Sequence, residues 1–272
     1  MQSKLKTALH LSSEPVALIF SGEKPEGATQ FTEGASSCVM FLFASATRGK
    51  TVVFDRESFG CPGGGVGLGF GNTYLTHFPG GMPCFCGFLS NGNESDPAGI
   101  AIGEGMKAGG APERFVTEFL HGERYKKSPE LVEDFVNTLP ITDIPAQYVV
   151  MKPLSQVNPD TEVPVSVTFL VTPDQLSALV ILANYDRLGR ENVAVPWGAA
   201  CQVVGIMSYE EAKKEQPRCL VGLSDISARR YLKGQNMQHM MTFTIPFHRL
   251  QEMEANVTGS FLEGSTWADV IA

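Results

Sequence analysis

The chain has 272 residues, of which 43% are hydrophobic and 18% charged, and its formal net charge is -8. This balance is typical of a folded globular protein rather than a disordered one. The negative charge argues against nucleic acid as a partner, because phosphate binding needs clustered Lys and Arg. Apolar runs such as residues 38–44 are too short to span a bilayer, and the N-terminus lacks the apolar core of a signal peptide. We therefore expect a cytoplasmic protein with no membrane partner.

Residues 15–54 predict a helix with one strand before it and one strand after it. Residues 15–20 and 51–54 are short apolar runs bounded by turn residues, as in buried strands. Between them, an apolar segment begins after a pair of serines and ends near Gly49, which predicts a helix. Cys38 would lie in its first turn, where free N–H groups and the helix dipole are expected to lower the pKa of a thiol.

Cys61 is followed by a run of six glycines within residues 62–71. Glycine lets the backbone approach a ligand closely, and consecutive N–H groups can form an anion-binding nest. The spacing matches neither a dinucleotide fingerprint nor a P-loop, and no Gly-Lys-Ser/Thr follows it. We predict a flexible, glycine-lined pocket wall beside Cys61, with Gly63, Gly64, Gly65 and Gly67 as its ligand-binding residues.

Two further cysteines follow in a stretch rich in Gly and Pro. Cys84 and Cys86 are predicted to lie in a turn, where two side chains at this spacing can face the same metal ion. His77 lies near them in the sequence and could join them, although we interpret this lone histidine as an ordinary core or surface residue. Residues 90–110 are rich in Gly, Asn and small side chains, which favours a surface excursion or lid.

The rest of the chain predicts helices mixed with strands. Thr172 and Gln175 have the spacing of a capping box, and Asp225 is expected to lie near the cap of its helix. The fold class is therefore α+β or α/β, in a single compact domain over residues 1–272 with two lobes at 1–140 and 141–272. The predicted helices are 112–120, 128–136, 173–183, 208–214, 225–232 and 247–255, and the predicted strands are 148–151, 164–169, 219–223 and 239–245.

The cysteines are the main candidates for chemistry. Four of the six lie within about fifty residues, unlike scattered core cysteines. Stable disulfides are rare in a reducing cytosol, so these thiols are expected to be free, metal-bound or redox-active. Thiolates bind iron–sulfur clusters from dispersed positions, and glycine N–H groups can bond the sulfides. The candidate ligands of an iron–sulfur cluster or another metal are Cys38, Cys61, Cys201, Cys84 and Cys86.

Two other interpretations remain open at this point. One is an activated thiol, Cys38 or Cys61, in a glycine pocket that stabilises an oxyanion. The other is a binder of a small anionic metabolite, in which the cysteines are structural and Arg48, Arg229 or Arg230 supplies positive charge. Arg229 and Arg230 can equally be exposed helix residues. The sequence predicts a small molecule or a metal as the partner, and it does not predict an oligomeric state.

Several short motifs extend over nearly the whole chain. They are Leu11-x-x-x-Pro15-Val16-Ala17, Cys38 followed by Ala46 and Gly49, Cys61-x-Gly63-Gly64 running into Gly67-Leu68-Gly69, Pro196-x-Gly198-x-x-Cys201, and Thr244-Ile245-Pro246. Together they resemble the prokaryotic family named domain of unknown function 169, found mainly in archaea and anaerobic bacteria. The resemblance implies one family domain with recurring cysteines, and no established activity. Residues 219–223 depart from the Gly-Cys-x-Gly-x-Arg pattern looked for there, so Cys219 is not carried over as a site residue.

Overall fold

The computed structural model describes residues 1–235 and 237–272, and these form a seven-stranded mixed sheet. Its strands are β1 (Val16–Ser21), β2 (Val52–Phe54), β3 (Tyr148–Pro153), β4 (Ser166–Val171), β5 (Val193–Ala194), β6 (Cys219–Gly222) and β7 (Met241–Pro246). The order across the sheet is β2-β3-β1-β4-β7-β6-β5. Neighbouring strands are antiparallel, except that β5 and β6 run parallel.

Helices account for most of the remaining regular structure. In chain order they are α1 (Lys4–Ala8), α2 (Val39–Ala46), α3 (Pro62–Leu68), α4 (Thr73–His77), α5 (Gly81–Leu89), α6 (Pro97–Ala108), α7 (Glu113–His121), α8 (Pro129–Thr138), α9 (Pro173–Asn184), α10 (Ala200–Gln202), α11 (Ser208–Ala212), α12 (Ile226–Leu232), α13 (Phe247–Ala255) and α14 (Ser265–Ile271). A π-helical turn, Val203–Met207, joins α10 to α11, and short 3-10 helices lie at Leu154–Gln156 and Phe261–Glu263. The mixed sheet and its helices confirm the α+β alternative of the predicted fold class, α+β or α/β.

The chain divides into two compact units. Unit 1 comprises Met1–Phe70 and Thr142–Ala272 and contains the whole sheet, whereas unit 2, Gly71–Ile141, is helical. A boundary at residue 140 would separate strands that pair, because β1 and β2 both lie next to β3. The predicted lobes 1–140 and 141–272 therefore do not correspond to these units. Unit 2 is instead an insertion between two segments of unit 1.

Unit 1 has a separate apolar core on each face of its sheet, because side chains alternate along a strand. In β1, Ala17 and Ile19 belong to the first core, and Val16 and Leu18 belong to the second. Helices α1, α9, α13 and α14 pack in the first core. Helices α2 and α12 and the helix that begins at Ala200 pack in the second. The second core contains Cys201, and Cys38 packs against it.

Unit 2 contains α4 to α8, including a helix in the stretch that the sequence predicts to be an excursion or lid. Asp96 caps α6 by accepting the N–H of Ala98 at 3.0 Å, and Pro97 takes the first helical position. These are ordinary helix-start residues, and they outweigh the Gly-rich composition that follows. Over residues 1–235 and 237–272, none of the helices combines the length and the apolar content needed to cross a membrane.

Candidate functional site

Cys38 and Cys61 lie side by side because the residues that precede them are hydrogen-bonded. The N–H of Ser37 donates to the carbonyl of Gly60 at 3.1 Å. Gly60 has a φ of +84°, and a Cβ there would lie 2.5 Å from the carbonyl oxygen of Ser37, so only glycine fits. Cys38 is the N-cap of α2 rather than a residue of its first turn. Two helices thus begin next to each other, each at a cysteine.

The glycine run after Cys61 is the helix α3, so the prediction of a flexible loop is wrong. Cys61 is its N-cap, and its Sγ accepts the N–H of Gly64 at 3.3 Å. Pro62 takes the first helical position, and Gly69, with a φ of +86°, ends the helix in the left-handed conformation. These start and stop residues, together with tertiary packing, outweigh the low helix propensity of glycine.

The same glycines let α3 contact the helix that begins at Ala200. A Cβ on Gly67 would lie 2.8 Å from the carbonyl carbon of Cys201 and 2.9 Å from its Sγ. A Cβ on Gly205, in the π-helical turn, would overlap the carbonyl oxygen of Gly67. The two backbones therefore approach as closely as they do only because side chains are missing. These glycines are packed against a neighbouring helix, and by this contact they fix the position of Cys201.

One peptide group, between Gly63 and Gly64, is hydrogen-bonded to two of the thiols. Its carbonyl accepts the S–H of Cys201 at 3.3 Å, and its N–H donates to Cys61 Sγ at the same distance. In a trans peptide the C=O and the N–H point in opposite directions. The two sulfurs therefore lie on opposite sides of this peptide, and both cysteines are free.

Asp225 completes the group, as the N-cap of α12. One carboxylate oxygen accepts the N–H of Ala228 at 3.3 Å, and the other accepts the N–H of Ala200, the residue before Cys201, at 3.1 Å. Burial is the largest cause of the raised pKa values of Cys38, Cys61 and Cys201, and the negative charge of Asp225 adds a smaller increase to each. The sequence predicts only the capping role, because the contact with Ala200 has no local sequence signal.

Burial controls the ionisation of these thiols. Cys38 and Cys61 are half-buried and Cys201 is buried. Desolvation raises the pKa of Cys38 to about 12, with repulsion from Cys61 adding to it, whereas the N–H groups of Met40 and Phe41 lower it. Burial likewise raises the pKa of Cys61, and that of Cys201 still more. The prediction that the helix start lowers the pKa of Cys38 is wrong, because the desolvation cost exceeds the helix-terminus effect.

Comparison with known proteins identifies the family. The model of the family domain of unknown function 169, described as uncharacterised ArCR, matches residues 4–256. The chain belongs to this family. The match confirms the resemblance, and it covers all of unit 2 and most of each segment of unit 1. No curated protein and no solved structure matches the chain.

Cys84 and Cys86 lie in unit 2 on α5, so the turn predicted for them is wrong. Residues two apart on an α-helix point in directions roughly 200° apart, so they do not face a common ion. Burial is the larger cause of the raised pKa of Cys84, and the charge of Asp96 is the smaller one. Burial is also the main reason that the pKa of Cys86 is raised to about 11, and the charges of Glu133 and Glu130 add to it. These two thiols therefore have separate surroundings.

The arginines predicted to bind a ligand differ in their surroundings. Arg48 is exposed and follows the C-terminal end of α2, roughly 15 Å along the helix axis from Cys38. Arg230 stacks over the ring of Tyr231 at 5.2 Å. Burial raises the pKa of Asp225 overall, whereas hydrogen bonds from backbone N–H groups lower it, as does, to a smaller extent, the charge of Arg229. The Arg229 guanidinium also donates to backbone carbonyls at residues 238 and 240.

Cys219 lies on the opposite face of the sheet from Cys201. Its Sγ contacts Met253 Sδ at 3.7 Å within the first core, and burial raises its pKa to about 12. It is therefore a core residue, in agreement with its omission from the resemblance.

An open cleft of about 660 Å³ also lies in unit 1, outside the cysteine group. Its lining residues lie in and just after α1 and within residues 257–272, and none of them is a cysteine. They are Lys4, Thr7, Ala8, His10, Val257, Leu262, Glu263, Trp267, Ala268, Ile271 and Ala272.

The described residues contain no group of three or more His, Cys, Asp or Glu side chains positioned to hold a metal ion. In unit 1, the opposite placement of Cys61 and Cys201 about the Gly63–Gly64 peptide explains why these sulfurs do not converge on one point. What the structure does bring together is three cysteines at helix starts, Cys38, Cys61 and Cys201, with the carboxylate of Asp225.

Proposed function

We propose that this protein binds an iron–sulfur cluster through the thiolates of Cys38, Cys61 and Cys201. The observation that carries the proposal is the meeting of three cysteines from distant segments at three adjacent helix starts. The Ser37–Gly60 hydrogen bond joins the first two segments, and the bond from Cys201 to Gly63 joins the third.

The electrostatics of the group support a cation as the ligand. Each thiol has a raised pKa, so the three are neutral at physiological pH in the absence of metal. Their thiolates would repel one another and Asp225, and burying unpaired negative charge is costly. Iron in place of the three protons would neutralise that charge, and its binding energy would add to the stability of the fold.

The placement of the sulfurs favours a cluster over a single ion. A tetrahedral zinc site needs every sulfur at about 2.3 Å from one centre. In a cluster each thiolate binds a different iron, so the ligands surround a larger body and need not meet at a point. Hydrogen bonds from backbone N–H groups to the sulfurs tune such clusters, and Cys61 already accepts one from Gly64.

The two alternative functions have less support. A nucleophilic cysteine needs a lowered pKa or an adjacent base. The pKa values here are raised, and His77 is an exposed residue of α4 in unit 2 whose Nδ1 lies 2.8 Å from the hydroxyl of Thr76. An anion nest needs free N–H groups, yet Gly64 donates to the Cys61 sulfur and Gly65 to the Cys61 carbonyl.

Anaerobic reconstitution tests the proposal. The purified chain is incubated with ferrous iron and sulfide, and the iron and acid-labile sulfide retained after gel filtration are measured beside the visible absorption and the EPR spectrum. We expect cluster binding by the wild type, and its loss in Cys38→Ser, Cys61→Ser and Cys201→Ser.

Cys219→Ser and Cys86→Ser are the matched controls, because they make the same change at cysteines outside the group. They should retain the cluster. The proposal is refuted by a wild-type protein that retains neither iron nor sulfide, or by equal retention in all five variants.

A further inference from the structure

The open cleft in unit 1 lies between two short helices that present small side chains to it. Its two walls are one face of α1 and one face of α14, each with the i, i+3, i+4 spacing of a helix face. These faces are Lys4, Thr7 and Ala8 on α1, and Ala268, Ile271 and Ala272 on α14. The indole N–H of Trp267 donates to the carbonyl of Ala8 at 2.8 Å, which joins the two walls.

The floor of the cleft is apolar and belongs to the first core. Val257, Leu262 and Trp267 are buried members of that core, and all three line the cleft. Small-molecule sites enclose about 300–1,000 Å³ and are lined mostly by apolar side chains with a few polar groups. With about 660 Å³ and this lining, the cleft has the size and the chemistry of such a site.

The cleft is separate from the cysteine group and lies partly outside the family match. Its floor and its α14 wall are formed by residues 257–272, whereas the family model matches residues 4–256. Its buried residues belong to the first core, whereas Cys201 belongs to the second, on the other face of the sheet. A ligand in this cleft would therefore represent a function distinct from that of the cysteines.

The polar groups of the cleft favour an anion. Lys4 and Thr7 are exposed and lie one helical turn apart on the same wall. Within the part of the chain that the structure describes, neither side chain has an ion-pair or hydrogen-bond partner. The nearby carboxylates already accept backbone N–H groups, Glu254 from Lys4 and Glu263 from Gly259. The Lys4 ammonium and the Thr7 hydroxyl are thus two donors available to one carboxylate.

We propose that this cleft binds a small amphiphile with an apolar body and one anionic headgroup, of the class of medium-chain carboxylates. The apolar body lies on Leu262, Trp267 and Ile271, and the burial of its surface supplies most of the affinity. The carboxylate meets Lys4 and Thr7 at the rim. This proposal does not depend on a cluster at the cysteines, so either proposal can fail without the other.

Fluorescence titration of the full-length chain tests the proposal, with decanoate as the probe. Decanol and decyltrimethylammonium have the same ten-carbon chain with a neutral or a cationic head. Trp267 reports binding because it lines the cleft, and Trp197→Phe removes the other of the two tryptophans. All probes are kept below the concentrations at which they form micelles. We expect a saturable change in Trp267 fluorescence with decanoate, and weaker binding of the other two probes.

Two substitutions in this background test the two parts of the site. Ala268→Leu fills the space beside the floor and should weaken decanoate binding at least about tenfold. Lys4→Met removes the charge from a long side chain and should weaken decanoate binding about fivefold, the upper range for an exposed ion pair, without weakening decanol binding. Ala101→Leu and Lys107→Met make the same changes at exposed positions of α6, outside the lining, and should bind as the parent does. Thermal unfolding of each variant checks its fold.

Several results would overturn the proposal. One is the absence of a saturable response to decanoate, and another is unchanged affinity in a folded Ala268→Leu variant. Equal affinity for decanoate and decyltrimethylammonium, or an unchanged decanoate affinity in Lys4→Met, would refute the anionic headgroup. Sedimentation of the ligand-free chain tests a second copy of the chain as the occupant. A dimer that Ala268→Leu dissociates would refute the small-molecule site.

Discussion

Replacing Gly67 by alanine tests whether the glycines of α3 serve helix packing. The new Cβ would lie 2.8 Å from the carbonyl carbon of Cys201 and 2.9 Å from the backbone nitrogen of Gln202. Both are backbone atoms, so a rotamer change cannot relieve the contact. An ordinary contact of about 3.5 Å requires the two helices to separate by several tenths of an ångström.

Two opposing effects set the magnitude. Overpacking of this kind costs about 1–3 kcal/mol, whereas Gly→Ala inside a helix gains up to about 1 kcal/mol in propensity. A matched substitution at Gly105, within α6, separates the packing cost from the propensity gain, because a Cβ there would meet no atom within 4 Å. Gly105→Ala should therefore show the propensity gain alone. Gly67→Ala should be less stable than Gly105→Ala by about 1–3 kcal/mol.

Urea unfolding of the metal-free variants, followed by circular dichroism, measures this difference. Iron retention gives a second measurement, because separating α3 from the helix at Ala200 moves Cys201 away from Cys61. If Gly67→Ala is as stable as Gly105→Ala, the close approach of the two helices is not as tight as described, and the packing argument is wrong.

Two further predictions concern the first core and its surface. Thr172→Ala breaks the capping box with Gln175 and should cost about 1 kcal/mol in thermal unfolding, whereas Thr172→Ser should cost little; equal losses would contradict the capping argument. Hydrogen bonds from Arg249 hold the pKa of Asp186 at about 2, so the stability that this carboxylate adds is present above its unfolded-state value and is lost as pH falls toward 2. Because this carboxylate is partly exposed, we expect it to contribute about 1 kcal/mol to the free energy of unfolding. The stability of the wild type should therefore fall more steeply below pH ~4 than that of Asp186→Asn. Parallel curves for the two proteins would contradict this prediction.

Local signals in the sequence predicted much of the fold correctly. The capping box of Thr172 and Gln175 and the cap at Asp225 are both present where the spacing puts them. Strands β1 to β4 were recognisable as short apolar runs between turn residues. Such features depend on neighbours within a few positions, so they can be read from one stretch of chain.

The features that the sequence did not predict depend on distant partners. The glycines of α3 look like a loop until Gly205 is known to lie against Gly67, which is 138 residues earlier. The pKa of Cys38 depends on how much of the chain packs around it rather than on its helix. The pairing of β3 with strands more than ninety residues away is likewise not visible in any one stretch of the sequence.

The two ends of unit 2 leave unit 1 at neighbouring points. Phe70 forms an isolated antiparallel bridge with Asp143, and the N–H of Ile144 donates to the carbonyl of Gly69 at 2.8 Å. Unit 2 is therefore inserted where the two segments of unit 1 are hydrogen-bonded to each other, and it contributes no strand to the sheet. A short linker in place of residues 71–141 would join ends that already meet, and the sheet, α2, α3 and the cysteine-bearing helix at Ala200 would keep their sequences. The protein thus offers a natural position for exchanging or removing an entire module.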